Sequence, residues 1–322
     1  MDLMSRLRLG SLLLALLLAG LIASGCSQTN PEPVRIGTVV WPGYEPLYLA
    51  RELGDLPADE IRLVEYPSAT EVIRALRNKS LEAAALTLDE VLVVLADRVP
   101  LKVLLVMDVS DGGDVIMARP GIASMQELRG KRIGVESNAL GAYMLTRSLQ
   151  TSGMTIGDVI VKHMGVNTQE QAYLKGDVDA VVTFEPVRTR LRNAGAVELF
   201  SSRQLPGEIV DVLVAHEDVY RDRPEVFRKL ADTWFKTVDY LREQPGPAAQ
   251  VIARRLKISP QEVTASYDGL TLPDRTENLR LLGGEQPALR TTVRRLGQVL
   301  LDSALLRRPV SGDELLSDTA LR

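Results

Sequence analysis

The chain has 322 residues, 45% of them hydrophobic and 25% charged, with a formal net charge of -4. This is the composition of a folded globular protein long enough for two lobes, and it excludes disordered and fibrous classes. Basic residues cluster no further than pairs such as Arg254-Arg255 and Arg307-Arg308, which argues against nucleic acid as a partner.

Residues 1–10 carry Arg6 and Arg8, and residues 11–22 are an apolar run of signal-peptide length, short for a membrane span. The run closes on Ala23-Ser24-Gly25-Cys26, where Cys26 is the single cysteine of the chain. This end resembles the lipobox of bacterial lipoproteins, with Ala23 where that motif more often has Leu. The resemblance implies a signal peptide over residues 1–26 and a lipidated Cys26 that anchors the mature chain to a membrane. An ordinary secretory signal cleaved nearby is the other reading. No second cysteine remains for a disulfide, a zinc site or a thiol nucleophile. Residues 27–33, SQTNPEP, read as a polar tether.

Residues 34–54, VRIGTVVWPGYEPLYLARELG, predict a strand over 36–40, a Trp-Pro-Gly-Tyr turn, and a helix with Leu47, Leu49, Ala50 and Leu53 turned inward. Pro46 suits the first helical turn, where no intrahelical acceptor is needed. Trp41 and Tyr44 thus stand at a strand-to-helix turn, where open α/β sheets bind ligands. Covering the sheet end is the alternative role for them.

Residues 61–66 alternate as a half-buried strand. Ser68 and Glu71 are spaced as a capping box for a helix through Leu76, and Thr87 and Glu90 repeat that spacing after a strand over 83–87. Residues 103–107 are near-continuously apolar, the pattern of a strand buried on both faces. Beyond the turn Asp111-Gly112-Gly113-Asp114, residues 115–118 resume as strand. LRGKRIGV (128–135) is a basic turn feeding a strand, and residues 143–149 read as helix. A strand over 159–163, a helix over 168–175 opened by Thr168, and a strand over 178–183 ending on Phe184-Glu185-Pro186 complete a second α/β unit. After a strand over 209–215 the pattern is helical. Residues 224–243 bury Phe227, Leu230, Trp234, Val238 and Leu241 at spacings of three and four. Ser259-Pro260-Gln261-Glu262 caps another helix, residues 291–305 form an amphipathic one, and residues 309–322 read as polar and loosely held.

LRGKRIGV followed by ESNALGAYML, LKGDVDAVVTFEP, and the WPGYEPLYLARELG opening together resemble solute-binding proteins of ABC transporters of the nitrate/sulfonate/taurine type, a group that includes thiamine-precursor binders. The resemblance covers nearly the whole mature chain. It implies an α/β fold of the periplasmic-binding-protein type II, a two-lobe clamshell in which each lobe is a mainly parallel sheet flanked by helices, with a helical C-terminal region. Lobe one is expected over residues 34–118 and 212–322 and lobe two over 119–211, with crossings near 115–119 and 209–215. The implied partners are a small-molecule solute and an ABC permease with a cytoplasmic ATPase, the implied state is a monomer, and the implied place is outside the cytoplasm, on a bacterial cell or outer membrane.

In that geometry the strand ends and helix starts converge on the interlobe groove. Trp41, Tyr44, Ser68, Thr87 with Asp89, and Asp108 come from lobe one, and Glu136, Ser137, Asn138 and Glu185 from lobe two. Asp211 lies on the predicted return strand. Ser68 and Thr87 have an alternative role as helix caps, and Asp108 and Glu185 as structural acids. Lys131 and Arg132 lie at the far end of their strand. An anion site would offer Arg, Lys or helix N-termini, whereas this groove offers acids and aromatics. The expected solute is cationic, or a nitrogen-rich heterocycle with several N–H donors. No cofactor or metal is expected. His163 and His216 read as surface or packing residues, and no nucleophile elbow, metal motif or nucleotide loop is present, which argues against an enzyme. A membrane-anchored sensor using the same clamshell without transport is the alternative function.

Overall fold

The computed structural model describes residues 32–136, 139–312 and 314–322. The signal segment, Cys26, most of the tether, Ser137 and Asn138 lie outside the described residues. Strands Val34–Thr38 (β1), Ile61–Glu65 (β2) and Ala83–Thr87 (β3) alternate with helices Glu45–Leu53 (α1), Ala69–Arg77 (α2) and Leu88–Ala96 (α3), and Leu101–Ser110 (β4) follows. β1 pairs in parallel with β2 and β3. The helix starts follow from local chemistry: Pro46 stands in the first turn of α1, Ser68 accepts the Glu71 N–H at the start of α2, and the Glu90 carboxylate accepts the Thr87 N–H at the start of α3. α1 ends on Gly54 at φ 80°, a left-handed position that favours glycine.

The second sheet holds Val115–Ala118 (β5), Arg132–Val135 (β6), Ile160–His163 (β7), Ala180–Thr183 (β8) and Val197–Ser201 (β9), with helices Ala139–Thr151 (α4), Val166–Lys175 (α5) and Val187–Asn193 (α6). The chain then returns as Val210–His216 (β10), a strand buried along its whole length between β3 and β4 and antiparallel to both. Helices Glu217–Asp222 (α7), Pro224–Glu243 (α8), Pro245–Leu256 (α9) and Pro260–Tyr267 (α10), the short strand Leu270–Thr271 (β11), and helices Arg275–Leu282 (α11) and Leu289–Asp302 (α12) complete lobe one. Among the described residues the sheet orders are β11-β4-β10-β3-β1-β2 and β7-β6-β8-β5-β9.

Each sheet is mixed. The βαβ parts are parallel, as expected, and the strands nearest the lobe junction run antiparallel because the chain reverses on leaving and re-entering each lobe. The strands expected to cross between lobes do not cross: β5 lies in the second sheet and β10 in the first, so the chain passes between sheets at residues 111–114 and 202–209. These passages are held together by hydrogen bonds from the Gly112 N–H (2.6 Å) to the Ser202 hydroxyl, which also meets that of Ser110 (2.8 Å). Residues from Pro33 onward pack as one compact unit. Thr168 is not the cap of α5; Gly165 is, and the Thr168 hydroxyl donates to its carbonyl.

The C-terminal segment is not loose. Leu315, Ala320 and Leu321 are buried, and the Val103 N–H donates to the Leu315 carbonyl (2.8 Å) while the Ser317 N–H donates to that of Val103 (3.0 Å). Among the described residues this segment is one of three covers on the outer edge of β4; β11 is another, and Asn278 is the third. The Val106 N–H donates to Asn278 Oδ1 (2.7 Å) and Asn278 Nδ2 donates to the Val106 carbonyl (3.1 Å), so one side chain does what a neighbouring strand would do. Asn278→Ala is expected to leave both Val106 groups buried without partners and to cost about 2–4 kcal/mol in urea unfolding. A loss below about 0.5 kcal/mol would show that water replaces the amide.

Candidate functional site

Beyond β1 the chain enters a single 3-10 turn, Pro42–Tyr44, with Trp41 extended just before it. The Trp41 indole N–H donates to Asp108 Oδ2 (3.1 Å), and the Tyr44 hydroxyl donates to Asp211 Oδ1. Asp108 and Asp211 are paired positions on the antiparallel strands β4 and β10, so both carboxylates emerge on one face of the sheet. A Cβ on Gly43 would lie 1.8 Å from Asp108 Oδ2 and 2.5 Å from the Trp41 indole nitrogen, so glycine is what lets the turn settle over the carboxylate. From lobe two the Phe184 ring meets Trp41 edge-on, with centroids 5.4 Å apart and planes at 87°.

These groups enclose an inner cavity of about 30 Å³, lined by Trp41, Tyr44, Thr87, Glu90, Asp114 and Asp211, with Phe184 and Leu140 of lobe two. That is room for a water molecule or two. No lysine or arginine is among the described lining residues. Burial pushes Asp108 and Asp114 up to about 7 and Asp89 to about 6. Glu90 and Asp211 are raised well above the usual carboxylate range, by burial first and by neighbouring acids second. Burial and the Asp211 charge likewise raise the Tyr44 hydroxyl. Asp108 Oδ1, Asp89 Oδ2, Asp114 Oδ2 and Thr183 Oγ1 are buried without a hydrogen-bond partner. The positive charge that acts on Asp114 is Arg188, which is itself engaged by Glu198 (2.7 Å) and the Gly112 carbonyl (3.0 Å). Chemically the cavity is acidic: burial makes its carboxyl groups hold their protons, and a hydrogen-bond donor or a positive charge placed beside them would favour the ionised form.

Of the residues singled out from sequence, Trp41, Tyr44, Thr87 and Asp211 line the cavity, and Asp108 lies against it under Trp41 and Gly43. Ser68 caps α2, and Glu136 reaches across from lobe two to the same helix start, where the Thr70 N–H (3.1 Å) and hydroxyl (2.9 Å) donate to it. Ser137 and Asn138 lie outside the described residues. Glu185 does not face the inner cavity. Its carboxylate turns back to accept the Thr189 N–H (3.1 Å) and hydroxyl (3.0 Å) in the first turn of α6, and it borders an outer groove of about 540 Å³ with Tyr66 and Arg255 opposite. An acid that starts a helix has backbone N–H groups nearer than any solute. Sequence reasoning missed Glu90, Asp114 and Phe184 as lining residues. Glu90 was accounted for as a cap, Asp114 sits in a glycine turn, and Phe184 had its signal in the Phe-Glu-Pro motif. The His216 ring bonds the Leu76 carbonyl (2.9 Å) in the core and His163 is exposed, so neither reaches the cavity.

In comparison with known proteins, the chain is 26% identical over 153 residues to a putative binding protein of Brucella abortus, covering 45% of this chain and 47% of that protein. The chain therefore spans about half the length of such relatives. It is 22% identical over 228 residues to the taurine-binding periplasmic protein of Escherichia coli, covering 64% and 71%. The fold is that of the alkanesulfonate-binding protein from Xanthomonas axonopodis pv. citri, solved bound to MOPS (TM-score 0.75, 17% identity, 88% of this chain and 96% of that one). A desulfurization enzyme shares it as well (TM-score 0.63, 17% identity, 89% and 97%). The match to the NMT1-like family runs over residues 27–256, more than half of the sequence, and the chain belongs to that family.

Proposed function

We propose that this chain is an extracytoplasmic solute-binding protein of an ABC importer, which closes two lobes on a small organic solute carrying positive charge or several N–H donors and delivers it to a permease. The importer role is supported by family membership and by the likeness to periplasmic binding proteins. One observation carries the solute class: Glu90, Asp108, Asp114 and Asp211 are gathered and buried against Trp41 and Tyr44, with no cation among the described lining residues. Carboxylates accept the solute's hydrogen bonds, and the aromatic turn packs on its body. The inner cavity admits no organic solute as it stands, so the lobes part for entry and binding favours the closed form through contacts from both sides. The same reading places the chain outside the cytoplasm, lipid-anchored through Cys26 and acting as a monomer without cofactor or catalysis.

Calorimetry with amidines, aminopyrimidines and quaternary amines, set against taurine and methanesulfonate, tests the solute class. Tight binding of the sulfonates with no heat from the nitrogen compounds would overturn it. Trp41→Ala is expected to weaken the solute so found about 10- to 100-fold. Trp234→Ala, in the core of lobe one, is expected instead to cost about 3–5 kcal/mol of stability.

The raised acids set a pH dependence of known sign. In the folded, solute-free protein Asp108 and Asp114 keep their protons up to about 7, whereas in the unfolded chain they release them near 3.8, so their contribution to stability falls as pH rises through that window. A cation favours the ionised form, so affinity rises with pH over the same range and binding releases protons. Titrations in two buffers of different ionisation enthalpy read that release, and proton uptake would contradict the assignment. Asp108→Asn is expected to raise the solute-free Tm at pH 8 by about 2 °C or more while weakening the solute at least about tenfold.

A further inference from the structure

Lobe two supplies a carboxyl group to lobe one. Glu136 follows β6 and carries its carboxylate across the cleft to the first turn of α2, a helix of nine residues. Its Oε1 accepts the Thr70 N–H and the Thr70 hydroxyl, at 3.1 and 2.9 Å; burial raises its pKa, and these bonds, with the Ser68 hydroxyl and Ala69 N–H, work against that by favouring the charged form. The side chain is buried at 5% exposure. A helix start whose first N–H groups lack intrahelical acceptors, with two hydroxyls beside them, favours a negative group. Ala69, in that turn, also lines the inner cavity, so the cradle opens on the space where a solute would close.

We propose that Glu136 is a specificity-determining residue: a tethered carboxylate that fills the anion cradle of α2 when the lobes close, so that solutes presenting a sulfonate or carboxylate there are turned away. This rests on the reading that solutes bind between the lobes. It adds that selection is made by occupying the cradle as well as by the acids around Trp41. A sulfonate and Glu136 compete for the same donors, and the tethered group has the advantage because its position is already fixed by the fold.

The test is calorimetric titration of methanesulfonate at pH 7 into the purified protein, Glu136→Ala and Glu136→Gln, with folding followed by circular dichroism. The Ala variant empties the cradle and is expected to bind methanesulfonate at least about tenfold more tightly than the parent. The Gln variant keeps the side-chain volume and is expected to gain about threefold by losing the charge; it decides the matter should the Ala variant fail to fold. Adding Thr70→Ala to the Ala variant is expected to abolish the gain. The proposal is overturned if the folded variants bind methanesulfonate within twofold of the parent, or if the gain survives Thr70→Ala. The readout uses a defined anion, so it is independent of which solute the parent carries; failure of the cationic-solute reading would appear in the amine titrations instead.

Discussion

The structure depends most on the cost of keeping acids out of water. Asp89, Glu90, Asp108, Asp114 and Asp211 are buried around the end of the lobe-one sheet. A hydrogen bond from an indole or a phenol contributes about 1 kcal/mol net, whereas the desolvation of an unpaired carboxylate costs several. The bonds from Trp41 to Asp108 and from Tyr44 to Asp211 therefore offset only part of the cost of their charge, and proton binding makes up the difference. That ordering of magnitudes explains why raised pKa values gather here, while Asp179, only partly buried, behaves oppositely: the Arg132 guanidinium holds it below its ordinary value. It also explains the composition of the opening turn, where glycine admits a carboxylate and each aromatic brings a donor.

Much of this was legible in the sequence because the signals are local. The strand-turn-helix unit at Trp41, the caps at Ser68, Thr87 and Ser259, and the all-apolar run of β4 each follow from neighbours a few residues apart, and the family motifs fixed the order of the two sheets. The candidate site residues were read from strand ends by the same logic; the structure gathers Trp41, Tyr44, Asp108 and Asp211 at the cavity and turns Glu185 away from it. A strand end says where a side chain begins and not which donor it finds first; for Glu185 the donor was Thr189, four residues on.

What escaped the sequence was non-local. Nothing in residues 309–322 announces that Leu315 and Leu321 have a hydrophobic seat waiting, since that seat is made by β4 and its packed helices. Nor can Asn278 be recognised as a substitute strand before β4 is known to have an open edge. Asp114 is similar: its turn is obvious, but its burial follows from the second passage between lobes, which lays Ser202 beside it. The Ser202 N–H donates to the Asp114 carbonyl at 2.9 Å.

The stitching of the two passages by Ser202 bears on how the molecule moves. Two independent connections would let one lobe twist, slide and tilt on the other. Bonded side by side through one hydroxyl, with Arg188 adding a bond to the Gly112 carbonyl, they behave as a single strap that bends about one axis and resists the rest. A lobe guided along one path arrives at the same closed outline whatever prompts the motion.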